Sequence, residues 1–137
     1  MNLRAIISEV YHNVIKTNNE GELAAYIPEL VNINPNNFGV HISTIHQVDF
    51  GIGDYLEKFS IQSISKVFSF ALAYKATGEA LWKRINREPS GSRFDSLLLL
   101  ESEKGIPRNP FINAGALVVM DVLMELYDDP IKEILTF

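Results

Sequence analysis

The sequence contains no cysteine among its 137 residues, which excludes a disulfide framework and a thiolate metal site. It also lacks an apolar run long enough to span a bilayer. An excess of basic residues is missing as well, because the formal net charge is −5 and the Lys and Arg residues are scattered. A nucleic-acid-binding surface usually shows a basic patch or stripe. We therefore expect neither a nucleic-acid partner nor a membrane partner.

What the sequence does contain is typical of a globular protein. Hydrophobic residues make up 47% and charged residues 21% of the chain. The length suits one domain, which we assign to residues 1–137. The first residues lead into an amphipathic helix and do not resemble a signal sequence. We expect a soluble, cytoplasmic protein.

The order of patterns predicts an α+β fold, with a helix first, a β-hairpin next and a mainly helical segment after it. Apolar residues at helical spacing predict a helix over residues 3–17. Alternation with a period of two predicts antiparallel strands over 38–45 and 47–53, joined near His46 and Gln47. No strand pattern follows Gly53. Because an isolated hairpin is at best marginally stable in water, the predicted sheet is incomplete.

The second half of the chain is predicted to be helical, with loops at 88–91 and 105–110. A helix beginning near Ser63 should end at Gly78. Its residues are apolar nearly all round, so we expect it to lie inside the protein. Further helices are predicted at 79–86, 94–103, 114–127 and from 130 onwards.

Ser63 and Lys66 are the candidate catalytic residues. Their spacing of three places both side chains on one face of a helix, with β-carbons about 5–6 Å apart. Burial favours the neutral form of a lysine amine, and a neutral amine is a base. A serine within reach of such a base is a candidate nucleophile. The same Ser-x-x-Lys motif occurs in penicillin-binding proteins and class A β-lactamases.

Structural interpretations of the same residues remain open. In one, Ser60 or Ser63 caps the helix and Lys66 extends to water. Asn113 either caps the following helix, a contribution of about 1 kcal/mol, or helps to hold a substrate carboxylate beside exposed backbone N–H groups. His41 and His46 lack the spacing with carboxylates of a metal site, so we predict that no metal is bound.

Several sequence blocks resemble a known family. FSIQSISKVF at 59–68, EPSG at 88–91 and PRNPFINAGA at 107–116 resemble, in that order, signature blocks of the serine-dependent glutaminases. YIPEL at 26–30, FG at 38–39 and GD at 53–54 resemble further blocks of that family. Together they span almost the whole chain, which makes the resemblance specific.

The resemblance implies hydrolysis of L-glutamine to L-glutamate and ammonia on a β-lactamase/transpeptidase-like fold. It implies that Ser63 is the nucleophile, that Lys66 takes its proton and that the Ser63 N–H donates to the oxyanion. It further implies that Tyr26, Gln62, Ser63 and Asn113 bind the substrate. No metal or organic cofactor is implied.

The sequence departs from the family pattern in its length and at two positions. Gln47 stands where the family usually has a turn glycine, and Asp95 where it usually has an asparagine. The later substrate contacts, the second oxyanion donor and the remaining strands are missing. We therefore expect an incomplete, amino-terminal portion of a glutaminase domain, with little or no activity alone. A homo-oligomer, as in the full-length family, or a carboxy-terminal partner segment is the expected association.

Two alternative functions remain open. The chain could be a penicillin-recognising serine acylase that uses the same Ser63–Lys66 pair. It could instead be a non-catalytic fragment that associates with a full-length glutaminase through exposed apolar helices.

Overall fold

The computed structural model describes residues 2–17, 20–46, 49–96, 100–101 and 103–137. They form two compact units, an amino-terminal unit Met1–Phe59 and a carboxy-terminal unit Ser60–Phe137. None of the helices within those described ranges is both long and apolar enough to cross a membrane.

The amino-terminal unit begins with helix α1, Leu3–Val14. Its start is fixed by Asn2, whose side-chain oxygen accepts a hydrogen bond of 3.2 Å from the Ala5 N–H. The helix ends three residues before the predicted boundary at residue 17, an ordinary error for a helix end. A single 3-10 turn, Pro28–Leu30, follows in the proline-containing segment.

The predicted hairpin is present as strands β1, Gly39–Ser43, and β2, Asp49–Gly53. They are antiparallel, with Val40 opposite Ile52 and Ile42 opposite Phe50. β1 is shorter than the predicted 38–45, and residues 47–48, at the predicted turn and start of the second strand, lie outside the described residues. The described ranges contain no third strand, as expected from the sequence.

The hairpin is supported by α1 within the same unit. Tyr11 of α1 stacks on Phe38 with ring centroids 5.4 Å apart. The Arg4 guanidinium lies 5.2 Å from the Phe50 ring centre and donates to the Asp49 carbonyl oxygen at 3.2 Å. This packing provides the third element that two strands need for stability.

The described part of the carboxy-terminal unit is helical: it has three complete α-helices, two 3-10 segments and helical residues at 100–101. The α-helices are α2, Ser65–Thr77, α3, Asn113–Leu126, and α4, Pro130–Thr136. The 3-10 segments are Gln62–Ile64 and Gly78–Lys83, and the latter covers the first part of the short helix predicted over 79–86. Gly78 ends α2 as predicted, with a φ of +55° that favours glycine.

Part of the leucine-rich helix predicted over 94–103 falls on residues that the structure does not describe, 97–99 and 102, while Leu100 and Glu101 are α-helical. Phe94 and Asp95 themselves lie in a turn.

The core of this unit lies between α2, α3 and the second 3-10 segment. Its buried members are Leu72, Ala73, Leu81, Ile85, Val119, Val122 and Leu123. The prediction that α2 is buried all round is wrong for this chain, since Val67 is 51% and Phe68 45% exposed. The described elements cover one side of α2 only, while its sequence is apolar on both sides. A second apolar face of α2 is thus left in contact with solvent.

Candidate active site

Ser63 lies in the 3-10 turn that precedes α2 and not within the α-helix itself. The Ile64 N–H donates to the Ile61 carbonyl oxygen at 2.8 Å, and the Ser65 hydroxyl donates to the Gln62 carbonyl oxygen at 2.6 Å. Gln62 has a φ of +40°, in the left-handed region that residues other than glycine rarely adopt. Such a conformation costs about 1–3 kcal/mol and is concentrated at functional sites in proteins.

The consequence of this turn is an exposed serine with unused hydrogen-bonding groups. Ser63 is exposed to solvent. Within the described ranges, neither its hydroxyl nor its backbone N–H forms a hydrogen bond. An N–H at the first turn of a helix has no partner inside the helix. Both groups of Ser63 are therefore free to contact a substrate.

Lys66 lies in the first turn of α2, and its side chain is half-buried. Its amine donates to Asn113 Oδ1 at 2.7 Å and to the Phe111 carbonyl oxygen at 3.0 Å. It also lies 5.9 Å from the centre of the Phe94 ring. The interpretation in which Lys66 extends freely into water is therefore wrong.

Asn113 is the first residue of α3 and does not cap it, because the capping position is Ile112 and has no side-chain hydrogen bond. The amide oxygen of Asn113 faces the Lys66 amine. Since a lysine amine offers mainly donors, the amide must present its oxygen there. Its NH₂ group is left to donate elsewhere.

The direct Ser63–Lys66 hydrogen bond of the proposed chemistry is not formed among the described residues. Two of the three donor positions of the Lys66 amine are used by Phe111 and Asn113, which leaves the third. Catalytic hydrogen bonds in free enzymes are often long and shorten only with substrate bound.

The remaining candidate substrate-binding residues, Gln62 and Tyr26, belong to different units. Gln62 adjoins Ser63 and is exposed. Tyr26 belongs to the amino-terminal unit, two residues before the 3-10 turn Pro28–Leu30, and is 84% exposed. No group of three or more His, Cys, Asp or Glu side chains that could hold a metal occurs in the described part of the chain.

The sequence interpretation missed two participants in the site. The Phe111 carbonyl binds Lys66, and the Phe94 ring lies beside it. A backbone carbonyl carries no sequence signature of its own, although the prolines at 107 and 110 do predict a rigid segment there.

Comparison with known proteins identifies the family. The model of the Glutaminase family matches residues 21–137. The chain belongs to the glutaminase family. The glutaminase of Saccharophagus degradans is 48% identical over 98% of this chain and 44% of its own length. The glutaminase of Aliarcobacter butzleri is 49% identical over 100% of this chain and 45% of its own length. The chain thus spans somewhat less than half the length of these glutaminases.

Solved glutaminase structures share the fold. A structure of the probable glutaminase ybaS has a TM-score of 0.82 and 33% identity, over 88% of this chain and 39% of its own. A crystal structure of Mglu in its Tris and glutamate form has a TM-score of 0.76 and 34% identity, over 89% of this chain and 27% of its own. The predicted α+β, β-lactamase-like fold class is confirmed.

Proposed function

We propose that residues 1–137 form the amino-terminal part of one glutaminase domain, and that the complete domain hydrolyses L-glutamine to L-glutamate and ammonia. The family match supports the reaction. The observation that carries the assignment to residues is the anchored amine of Lys66, which lies one helical turn after the exposed Ser63.

In the proposed mechanism the Ser63 hydroxyl attacks the side-chain amide carbon of glutamine, and the neutral Lys66 amine takes the hydroxyl proton. The negative charge that develops on the amide oxygen is stabilised by the free Ser63 N–H. The tetrahedral intermediate then collapses, Lys66 returns its proton to the leaving nitrogen, and ammonia departs. A water molecule, deprotonated by Lys66, then attacks the acyl carbon. The bond from that carbon to Ser63 Oγ breaks, Lys66 returns the proton to Ser63 Oγ, and glutamate is released.

Substrate recognition is proposed for Tyr26, Gln62 and Asn113. Because the amide oxygen of Asn113 is bound to Lys66, its NH₂ group can donate to the substrate carboxylate. The Asn113 amide then contacts both Lys66 and the substrate. The mechanism uses groups of the protein and water alone, so we propose no metal or organic cofactor.

The exposed apolar face of α2, around Val67 and Phe68, supports association with further protein. We propose a carboxy-terminal glutaminase segment as the partner, within a homo-oligomer of the kind expected for the full-length family. We propose the cytoplasm as the location of the assembly.

The test compares the chain alone with the chain mixed with the segment that follows the matched region in the Saccharophagus degradans glutaminase. We expect little ammonia release from the chain alone and turnover from the mixture. Ser63→Ala should abolish turnover, whereas Ser60→Ala, which removes an equivalent exposed hydroxyl three residues earlier, should not. Turnover that survives Ser63→Ala would refute the nucleophile assignment.

A second assay separates the alternative functions. An electrophilic glutamine analogue should leave an adduct on Ser63 that mass spectrometry can locate. A stable β-lactam adduct at Ser63, without a glutamine-analogue adduct, would favour a penicillin-recognising acylase. Co-purification with a full-length glutaminase, with neither adduct, would favour the non-catalytic fragment.

A further inference from the structure

The segment that holds the Lys66 amine is itself held by one side chain, that of Asn109. The Asn109 side-chain oxygen accepts hydrogen bonds from the Phe111 N–H at 3.0 Å and the Ile112 N–H at 3.1 Å. Its NH₂ group donates to the Glu88 carbonyl oxygen at 2.8 Å. Both the oxygen and the NH₂ group of this amide thus bind backbone atoms, through three hydrogen bonds.

The partner of the Asn109 NH₂ group is fixed by backbone pairing. The Asn86 N–H donates to the Pro107 carbonyl oxygen at 2.8 Å, and the Glu88 N–H donates to the Arg108 carbonyl oxygen at 2.8 Å. Pro107 is fully buried. The segment at 86–88 therefore serves as a fixed support from which Asn109 reaches the segment at 111–112.

The other side of Asn109 is fixed by the start of α3. Gly115 lies so close to Asn109 that an added β-carbon would overlap its carbonyl group and the Pro110 α-carbon. Only glycine permits this approach of two backbones. Asn109 thus occupies one position relative to the helix that carries Asn113.

We propose that Asn109 is a positioning residue for the general base Lys66, an inference that rests on the proposed function above. It acts by fixing the Phe111 carbonyl and the start of α3 at Asn113. When Lys66 accepts the proton of Ser63, the ammonium that forms finds two oxygen acceptors already directed at it. Acceptors oriented before the reaction need no reorganisation as charge develops.

The first test does not depend on catalysis. Competitive acylation of lysine amines, followed by mass spectrometry, measures the reactivity of Lys66 against exposed Lys83 in the same sample. Asn109→Ala should raise the labelling rate of Lys66 relative to Lys83 by about fivefold or more. Asn34→Ala is the control. It removes a side-chain oxygen that accepts from the Asn36 N–H at 3.1 Å and an NH₂ group that donates to Asn37 Oδ1 at 2.9 Å, and it should leave the ratio unchanged.

A second variant keeps the inference testable if Asn109→Ala fails to fold. Asn109→Asp retains an oxygen that can accept from Phe111 and Ile112 and loses only the donor to Glu88. It should keep the Lys66 labelling ratio within about twofold of the wild-type value. An unchanged labelling ratio in folded Asn109→Ala would overturn the inference. A rise of about fivefold or more in the Lys66 labelling ratio of folded Asn109→Asp would overturn it as well.

The catalytic readout uses the assembled enzyme of the mixing experiment. Asn109→Ala should lower kcat by about 10- to 100-fold, because misplacement of a reacting group by about 1 Å costs rates of that order. KM should change little, since Asn109 does not contact the substrate in this proposal. If the assembled wild-type enzyme forms no adduct of the glutamine analogue at Ser63, the proposed function is refuted. An unchanged Lys66 labelling ratio in Asn109→Ala refutes only the role of Asn109.

Discussion

Gly115→Ala tests the packing on which the site depends. Position 115 lies in the first turns of α3, where helix propensity alone predicts a gain of about 1 kcal/mol for glycine to alanine. The structure predicts a loss of stability instead of a gain. The new methyl group would overlap backbone atoms of Asn109 and Pro110, and a backbone cannot rotate away as the end of a flexible side chain can.

The magnitude follows from two contributions. Overpacking in a filled site costs about 1–3 kcal/mol. Relief of the overlap requires the loop or the helix to move, which weakens the Asn109 hydrogen bonds to Phe111 and Ile112 at about 1 kcal/mol each. After the propensity gain, we expect a net loss of about 2–4 kcal/mol in the free energy of unfolding. This corresponds to a fall of roughly 1 M in the urea midpoint.

Urea unfolding followed by tryptophan fluorescence measures this loss. The protein has a single tryptophan, Trp82, which packs 5.7 Å from Phe70 and 5.5 Å from Tyr74 in the carboxy-terminal unit. Ala116→Gly is the control, since it removes a methyl group at the next position and should cost about 1 kcal/mol through propensity. An unchanged or higher midpoint for Gly115→Ala would refute the close-packing argument.

Three further predictions concern other parts of the carboxy-terminal unit. Leu123→Ala, at a fully buried core position, should lower the free energy of unfolding by about 2–5 kcal/mol in the same urea assay. Its control is Leu117→Ala in the same helix, where the leucine is 69% exposed and the change should be less than about 0.5 kcal/mol. The hydrogen bond and negative charge of Glu79 raise the pKa of Tyr74, so Glu79→Gln should lower that pKa, as measured by tyrosinate absorbance at alkaline pH. In the wild-type protein the stabilising contribution of Tyr74 is present below its ordinary pKa of about 10 and is lost as the pH rises through the raised value. Asn113→Leu should lower kcat of the assembled enzyme by about 100-fold or more, because it removes an oxygen acceptor for the base and a donor for the substrate; a kcat within threefold of wild type would contradict this role.

The sequence predicted the positions of strands and helix ends better than it predicted which helix faces are buried. Alternation of apolar residues located both strands, and Gly78 located the end of α2, because these are local patterns with local causes. The burial of α2 was predicted wrongly, because a helix that is apolar on both sides does not reveal which side the chain covers.

The candidate site likewise combines local and non-local features. Ser63 and Lys66 are close in sequence, so their spacing indicated a pair. The contact between Lys66 and Asn113 joins residues 47 positions apart and depends on how α2 and α3 pack. The left-handed conformation of Gln62, which places Ser63 in a turn before the helix, has no counterpart in the residue preferences of glutamine.

The position of Lys66 explains why the loop at 109–113 belongs to the site. The first turn of a helix is an unfavourable place for a cation, because the helix dipole is positive there. In the proposed mechanism, the ammonium that forms on Lys66 therefore needs stabilisation from outside α2. The Phe111 carbonyl and Asn113 Oδ1 supply two acceptors from a different segment, and Asn109 fixes that segment. The proposed roles of Ser63 and Lys66 as nucleophile and base thus depend on a second, rigid segment that supplies acceptors for the lysine.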